Sequence, residues 1–485
     1  MAALAGFLWG YGGLMLGKVF FFLATLVLAR VLVPEDFGLV AFALALLAYV
    51  NNVAIHGVGE TLVYRADARD QRVASTAWWL AVGLSVALVG AVWLLAPLVA
   101  RFGDRDAVWV LRVVSLYLVV ASLTSTQAYL FRHDLQFRKL FLPEQVSGFV
   151  RGGSAVALAL AGAGVWSLVG GQLAGAVVGA ATLAWISRWR PSLTVAGDQV
   201  GPMLRVGSAF TAVALIGEAA KNLDFVIVGI RLGADELGYY VLAFRLPELA
   251  VLAIFEVAWG VLFPFYSRVR DERGDDEDVR GPLAEAYVRT LRVGGLLAFP
   301  LALGIAALAR PLVTTLYGDR WEPSVWPLAL VAVWAAFIAV SGMPGTVFKA
   351  LGRPGLVTRC ILIYLVVLLP SLWVAAGYGI VEVAAAHLVV QVAYLVFLAF
   401  VTERVLAVPW LRTLVSLAPG LAVGAFVGAV LLAAAVLLPG AAALVAGAVA
   451  GPALFLAAAR VVAPADLTGL RRLARGLRGG AGASA

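Results

Sequence analysis

Residues 29–43 read ARVLVPEDFGLVAFA, and far downstream residues 230–244 read IRLGADELGYYVLAF. Each copy holds a basic residue, a tight acidic turn, an apolar residue followed by glycine, and then a fresh apolar run. A second echo joins GAGVWSLVGGQL at residues 162–173 to GYGIVEVAAAHL at residues 377–388. Six apolar segments separate the start of one copy from the start of the next. Because six is even, both copies enter a membrane in the same direction. The chain is therefore expected to contain parallel repeats related by an axis along the membrane normal, which places a cavity between two lobes that can rock for alternating access.

The composition around these repeats requires a membrane. Hydrophobic residues make up 63% of the 485-residue chain and charged residues 13%, against about 45–50% and about 25% in soluble domains. Apolar windows of about 20 residues, the length a helix needs to span hydrocarbon, recur along almost the whole chain. They predict an all-α polytopic protein of about fourteen spans, from one near Phe21 to one near Gly447. Alternating ten-residue strands are absent, which excludes a transmembrane barrel. The predicted organisation is a six-helix lobe over 1–205, a second over 206–405, an extra helix pair over 406–463 and a basic cytoplasmic tail over 464–485. The extra pair is almost pure Ala, Leu, Val and Gly, with nothing chemical in it.

Lys and Arg concentrate in alternate loops, among them Arg65/Arg69/Arg72, Arg132/Arg138/Lys139 and Lys349/Arg353/Arg359, while the intervening loops hold few, such as Arg30, Arg101 and Arg231. The positive-inside rule then predicts both termini in the cytoplasm. The net charge of +8 is topogenic, and a nucleic-acid partner is excluded. The tail RRLARGLRGG adds contact with anionic membrane lipid, each charge being worth about 1 kcal/mol there. The mixed-charge stretch RVRDERGDDEDVRG reads as a solvated cytoplasmic linker. A single cysteine, Cys360, forms no intramolecular disulfide. No basic leader with a cleavage site precedes the first span, which is expected to be retained.

Charges at mid-membrane cost about 2.5–3.5 kcal/mol on insertion scales, so they face a cavity, a partner or a substrate. Lys18 stands alone among glycines in GGLMLGKVFFF. Asn52, His56 and Glu60 fall at i, i+4 and i+8, one stripe of the second helix. In IGEAAKNLDFVIVG, Lys221 lies three residues from both Glu218 and Asp224, so the trio either lines a wet chamber or neutralises itself along the helix. Arg245, Glu248 and Glu256 form a fourth group, with Pro247 able to bend the eighth helix. Arg112, Arg151, Arg289 and Arg292 lie near span ends, where snorkelling is the simpler reading. His387 reads as packing rather than a proton relay. The three histidines are scattered, so no metal site is expected. Neither GxxxxGK[ST] nor GxSxG occurs, leaving ATP coupling and serine hydrolysis without support.

Several stretches carry a family resemblance: LVLARVLVPEDFGLVAFALALLAYVNNVAIHGVGETLVYR, FRHDLQFRKL, GAGVWSLVGGQL, LDFVIVGIRLGADELGYYVLAFRLPE and KALGRP. Together they resemble the Wzx-type polysaccharide flippases, in particular the WzxC-like exporters of the multidrug/oligosaccharidyl-lipid/polysaccharide superfamily. That resemblance implies twelve core helices in two bundles plus two extra helices in the bacterial inner membrane. It also implies transport of undecaprenyl-diphosphate-linked oligosaccharide, no enzymatic activity and no cofactor. Members of the family begin with a short basic segment, whereas this chain starts at MAALAGFLWGYGG, so a shortened start is expected. On this reading Lys18, Lys221 and Arg245 hold the diphosphate, Asn51, Asn52 and His56 meet sugar hydroxyls, and Glu60, Glu218, Asp224 or Glu256 couple transport to H+ or Na+. A polysaccharide polymerase is a possible partner.

A lipid II flippase and a drug/ion antiporter of the same superfamily are the alternatives. A polyprenyl-dependent glycosyltransferase is the enzymatic one, with PEDFG as its acidic motif. Pro34 followed by Glu35 and Asp36 is equally what a helix start favours.

Overall fold

The structure, a computed structural model, describes residues 2–99, 105–271 and 280–464. The loop basic residue Arg101, the centre of the mixed-charge linker and the basic tail lie outside the described residues. The chain forms long helical rods, and each predicted span centre from Phe21 to Gly447 falls within one of them. Among the described residues, 11 rods are long and apolar enough to cross a membrane.

The first compact unit comprises Ala2–Val241 with Ala376–Ile380. It holds α1 (Ala2–Val31), α2 (Pro34–Tyr64), α3 (Gln71–Val99), α4 (Arg105–His133), α5 (Phe137–Leu160), α6 (Val165–Ile186), α7 (Gly197–Leu232) and the start of α8 (Ala234–Asp271). The second comprises Leu242–Ala375 and the chain from Val381 on. It holds the rest of α8, then α9 (Arg280–Ala307), α10 (Asp319–Ala350), α11 (Pro354–Ala375), α12 (Ile380–Leu406), α13 (Trp410–Leu437) and α14 (Gly440–Val462).

The sequence echo has a physical counterpart inside the first unit. A Cβ built on Gly38 of α2 would lie 1.8 Å from the carbonyl oxygen of Ala234, and one built on Gly238 of α8 would lie 1.9 Å from that of Pro34. Gly38 pairs with Gly238 in the echo, and Pro34 with Ala234. The contact is thus reciprocal, as a two-fold relation demands. In the second echo, Gly164 and Gly379 both adopt positive φ, at 53° and 147°, immediately before α6 and α12.

Both α2 and α8 also carry a π turn, at Asn52–His56 and at Glu248–Leu252. In α8 the π turn follows Pro247 directly, where the missing N–H and the ring loosen the helical ladder. In α2 no proline is involved. There the Asn52 side-chain amide donates to the carbonyl of Ala48 at 3.0 Å.

Small residues set the helix spacing. On α6, Gly171, Gly175 and Gly179 form a stripe against α5, and the Ser147 hydroxyl donates to the Gly175 carbonyl at 2.8 Å. This is the close small-residue packing expected where lipid removes the hydrophobic drive between helices. In the second unit Gly420, Gly424 and Gly428 of α13 play the same part against Gly295, Phe299 and Leu303 of α9.

Candidate functional site

A cavity of about 460 Å³ opens inside the first unit, walled by α2, α4, α5 and α6. Its charged lining comes from Arg132 at the end of α4 and from Glu144 and Arg151 on α5. Asn51, His56, Tyr129 and Gln172 add polar atoms. Glu144, Ser147, Gly148 and Arg151 fall at i, i+3, i+4 and i+7, which on a helix is one face. The glycine stripe of α6 holds that face in place, since a Cβ at Gly175 would lie 2.7 Å from the Cβ of Arg151.

Each arginine lies over an aromatic ring. The Arg151 guanidinium lies over Phe21 of α1, 4.5 Å from the ring centroid, and that of Arg132 lies over Tyr129 at 5.0 Å. The Tyr129 hydroxyl hydrogen-bonds to Nδ1 of His56 at 2.8 Å, and the same nitrogen lies 4.0 Å from the Glu60 carboxylate. The snorkelling expectation fails for Arg151, which turns into the cavity instead. Arg112 likewise points back to protein, donating to the Trp93 carbonyl at 3.0 Å and lying over Trp109.

The predicted stripe on α2 is divided. The π turn advances the chain by an extra residue, so Asn51 and His56 share the cavity while Asn52, 5% exposed, turns to α7. There its amide donates to the Glu218 carboxylate at 2.9 Å. Glu218 also accepts from Asn222, and the buried Asp224 accepts from the Tyr240 hydroxyl at 3.2 Å. These contacts of the two carboxylates are with neutral groups, and the Lys221 side chain is exposed. Of the two alternatives left open by the spacing, a self-neutralised helix is not what Lys221 forms with these carboxylates.

Lys18 is half-buried on α1, one residue from Gly17, where a Cβ would meet Gln145 of α5 at 2.9 Å. Arg245 belongs to the second unit, half-buried and 3.8 Å from Glu248. Glu256 of the same rod is exposed. His387 is 3% exposed, its ring 4.7 Å from Trp334 and 6.5 Å from Phe244. It is packed among aromatics.

Sequence reasoning missed Arg132, Glu144 and Tyr129 as a group with His56. The face of α5 was legible in EQVSGFVR, but its partner helices are named only by tertiary contact.

Residues 27–326 match the profile of a family described as "Polysaccharide biosynthesis protein". The chain belongs to this family. It is 29% identical to the succinoglycan biosynthesis transport protein ExoT of Rhizobium meliloti, over 64% of this chain and 62% of that one. Identity to the lipopolysaccharide biosynthesis protein WzxC of Escherichia coli is 26%, over 67% and 65%. The match thus spans somewhat less than two thirds of these relatives' length. Among solved structures, the lipid II flippase MurJ in an inward closed conformation superposes with a TM-score of 0.78 at 12% identity, covering 94% of this chain and 98% of that one. An inward-facing MATE multidrug transporter superposes with a TM-score of 0.63 at 15% identity, covering 80% and 95%. At such identities the likeness concerns the fold alone, a multi-pass bundle of long helices.

Proposed function

We propose that the protein is a flippase that carries undecaprenyl-diphosphate-linked oligosaccharide across the bacterial inner membrane by alternating access, with both termini cytoplasmic, and that it is not an enzyme. The observation that carries this reading is the coincidence of polysaccharide-biosynthesis membership with a transporter fold. The reciprocal Gly38/Gly238 contact supports the parallel repeat that alternating access uses. In this proposal the repeat lobes are 1–205 and 206–405, and the pair over 406–463 offers its hydrocarbon surface to the prenyl tail.

Lys18, Lys221 and Arg245 meet the diphosphate, Lys as a point charge and Arg as a bidentate fork. Asn51 and His56 meet sugar hydroxyls. Asn52, turned to Glu218, acts on substrate through the position of α7. Glu60, Glu218, Asp224 and Glu256 are the carboxylates through which H+ or Na+ would couple. A polymerase that consumes the exported unit would draw the cycle forward.

The test is a leaflet-resolved assay of lipid-linked oligosaccharide in proteoliposomes. Wild type is expected to move the substrate, and Lys18→Ala and Arg245→Ala to slow it at least tenfold. A wild-type protein that moves no lipid-linked glycan would refute the proposal. Variants that transport normally would remove the diphosphate roles alone.

A further inference from the structure

The π turn of α2 stands between two ends that are held by close packing. Upstream, Gly38 lies against the carbonyl of Ala234. Downstream, a Cβ at Gly57 would lie 2.1 Å from Oγ1 of Thr211 on α7, and one at Gly59 would lie 2.0 Å from the ring of Tyr129 on α4. Between these ends the helix carries one residue more than an α-helix needs, marked by the bond from the Gly57 N–H to the Asn52 carbonyl, five residues back. In α8 the π turn is tied to Pro247, whose ring and missing N–H set where the ladder breaks. Side-chain contacts alone hold the turn of α2. Single π turns are rare and frequent at functional sites. One can also pass along a helix, exchanging one backbone bond for another while both ends stay in register.

Moving the extra residue one turn towards the N-terminus rotates each residue between the old and new turns by about 100°, the angle one residue subtends on an α-helix. Counted from His56, Asn52 then stands one α-helical turn back, where Asn51 now lines the cavity. Val53 takes the place of Asn52 opposite Glu218. The bond from the Asn52 amide to the Ala48 carbonyl lies within the moving segment and supplies a donor where the ladder reopens. The bond to Glu218 at 2.9 Å crosses to α7 and breaks. Asn52 therefore grips α7 or lines the cavity, and does not do both.

We propose that the π turn of α2 is a two-register switch. In the register of this structure Asn52 holds Glu218 and Asn51 faces the cavity. In the other, Asn52 meets the contents of the cavity and α7 is released. A ligand on the Asn52 amide and the carboxylate of Glu218 thus bias one element in opposite directions, which is the physical basis of coupling between two places. The proposal rests on the proposed function and deepens it, because it states how sugar hydroxyls in the cavity loosen α7.

The experiment is fluorine NMR of the full chain in nanodiscs, with 3-fluorotyrosine in place of Tyr49, which lies three residues before the turn and has a buried hydroxyl. The parent is expected to show two environments in exchange. Asn52→Leu, which drops the grip, should raise the ratio of the second to the first at least threefold. Val53→Asn offers a grip in the second register and should do the same, and the pair should raise the ratio at least tenfold. In proteoliposomes the pair, held in one register, should slow movement of lipid-linked oligosaccharide at least tenfold. A single parent resonance without exchange broadening overturns the proposal, and that measurement requires no variant to fold. A ratio that Val53→Asn leaves unchanged or lowers also overturns it, as does undiminished transport by the pair, with thermal unfolding as the control for structure. A wild-type protein that moves no lipid-linked glycan strikes the flippase reading, while the fluorine comparison still decides the switch.

Discussion

Replacing Gly38 with alanine should force the first turns of α2 and α8 apart. The new Cβ would lie 1.8 Å from the carbonyl oxygen of Ala234, whereas close carbon–oxygen contacts in proteins fall at about 3.3–3.6 Å. The two backbones must therefore separate by about 1.5 Å. The opposing atom is main chain at a helix start, so no rotamer change relieves the overlap. Overpacking of this kind costs about 1–3 kcal/mol, which shifts a conformational equilibrium by about 5- to 150-fold. Gly238→Ala, at 1.9 Å from the Pro34 carbonyl, should match it by symmetry. One separation relieves both overlaps, so the double variant should cost clearly less than the sum of the singles. In a Cys360→Ala background, spin labels at Glu35→Cys and Asp235→Cys would report the separation by pulsed electron paramagnetic resonance, with thermal unfolding read in parallel. An unchanged distance and unchanged stability in both single variants, or strictly additive costs, would refute the reciprocal contact.

Three further outcomes follow from the first unit. Asn52→Leu removes the donor to Glu218 and Ala48 and should destabilise by about 1–3 kcal/mol; a double-mutant cycle with Glu218→Gln should show coupling of at least about 0.5 kcal/mol, and its absence in thermal or denaturant unfolding would deny the tether. Tyr129→Phe loses the bond to His56 but keeps the ring under Arg132, so unfolding should show a loss of about 0.5–1.5 kcal/mol, with Tyr129→Leu losing more. At the loop ends, the Arg69 guanidinium, donating at 3.0 Å, holds the Asp134 carboxyl below the usual carboxylate range, with His133 assisting. A depressed carboxylate stabilises above its unfolded pKa, and this contribution is lost as pH falls through the lower folded value. Because Arg69 is mostly exposed, the effect should stay below about 1 kcal/mol. Stability measured from pH 7 down to pH 3 should therefore show slightly less acid loss in Asp134→Asn than in the parent.

The α5 face that lines the cavity was written in sequence as Glu144, Ser147 and Arg151 at helical spacing, yet Arg151 also sits where a snorkelling side chain would. Its direction depends on Phe21 and on the glycines of α6, which are distant in the chain. Likewise Asn52, His56 and Glu60 form one stripe only on an unbroken α-helix. The π turn that divides them is held by contacts of Asn52 with both its own helix and Glu218, and no local propensity announces it.

What the sequence by itself determined was the membrane, the helical rods and the paired turns at Gly38 and Gly238. Those follow from the length of apolar runs against the thickness of hydrocarbon and from a repeated turn, both of them local properties. Tertiary structure alone decided which way the intramembrane charges face and which helices wall the cavity. The energies that separate those choices, a hydrogen bond or a stacked ring, are of the order of about 1 kcal/mol, and they exist only after distant helices have met.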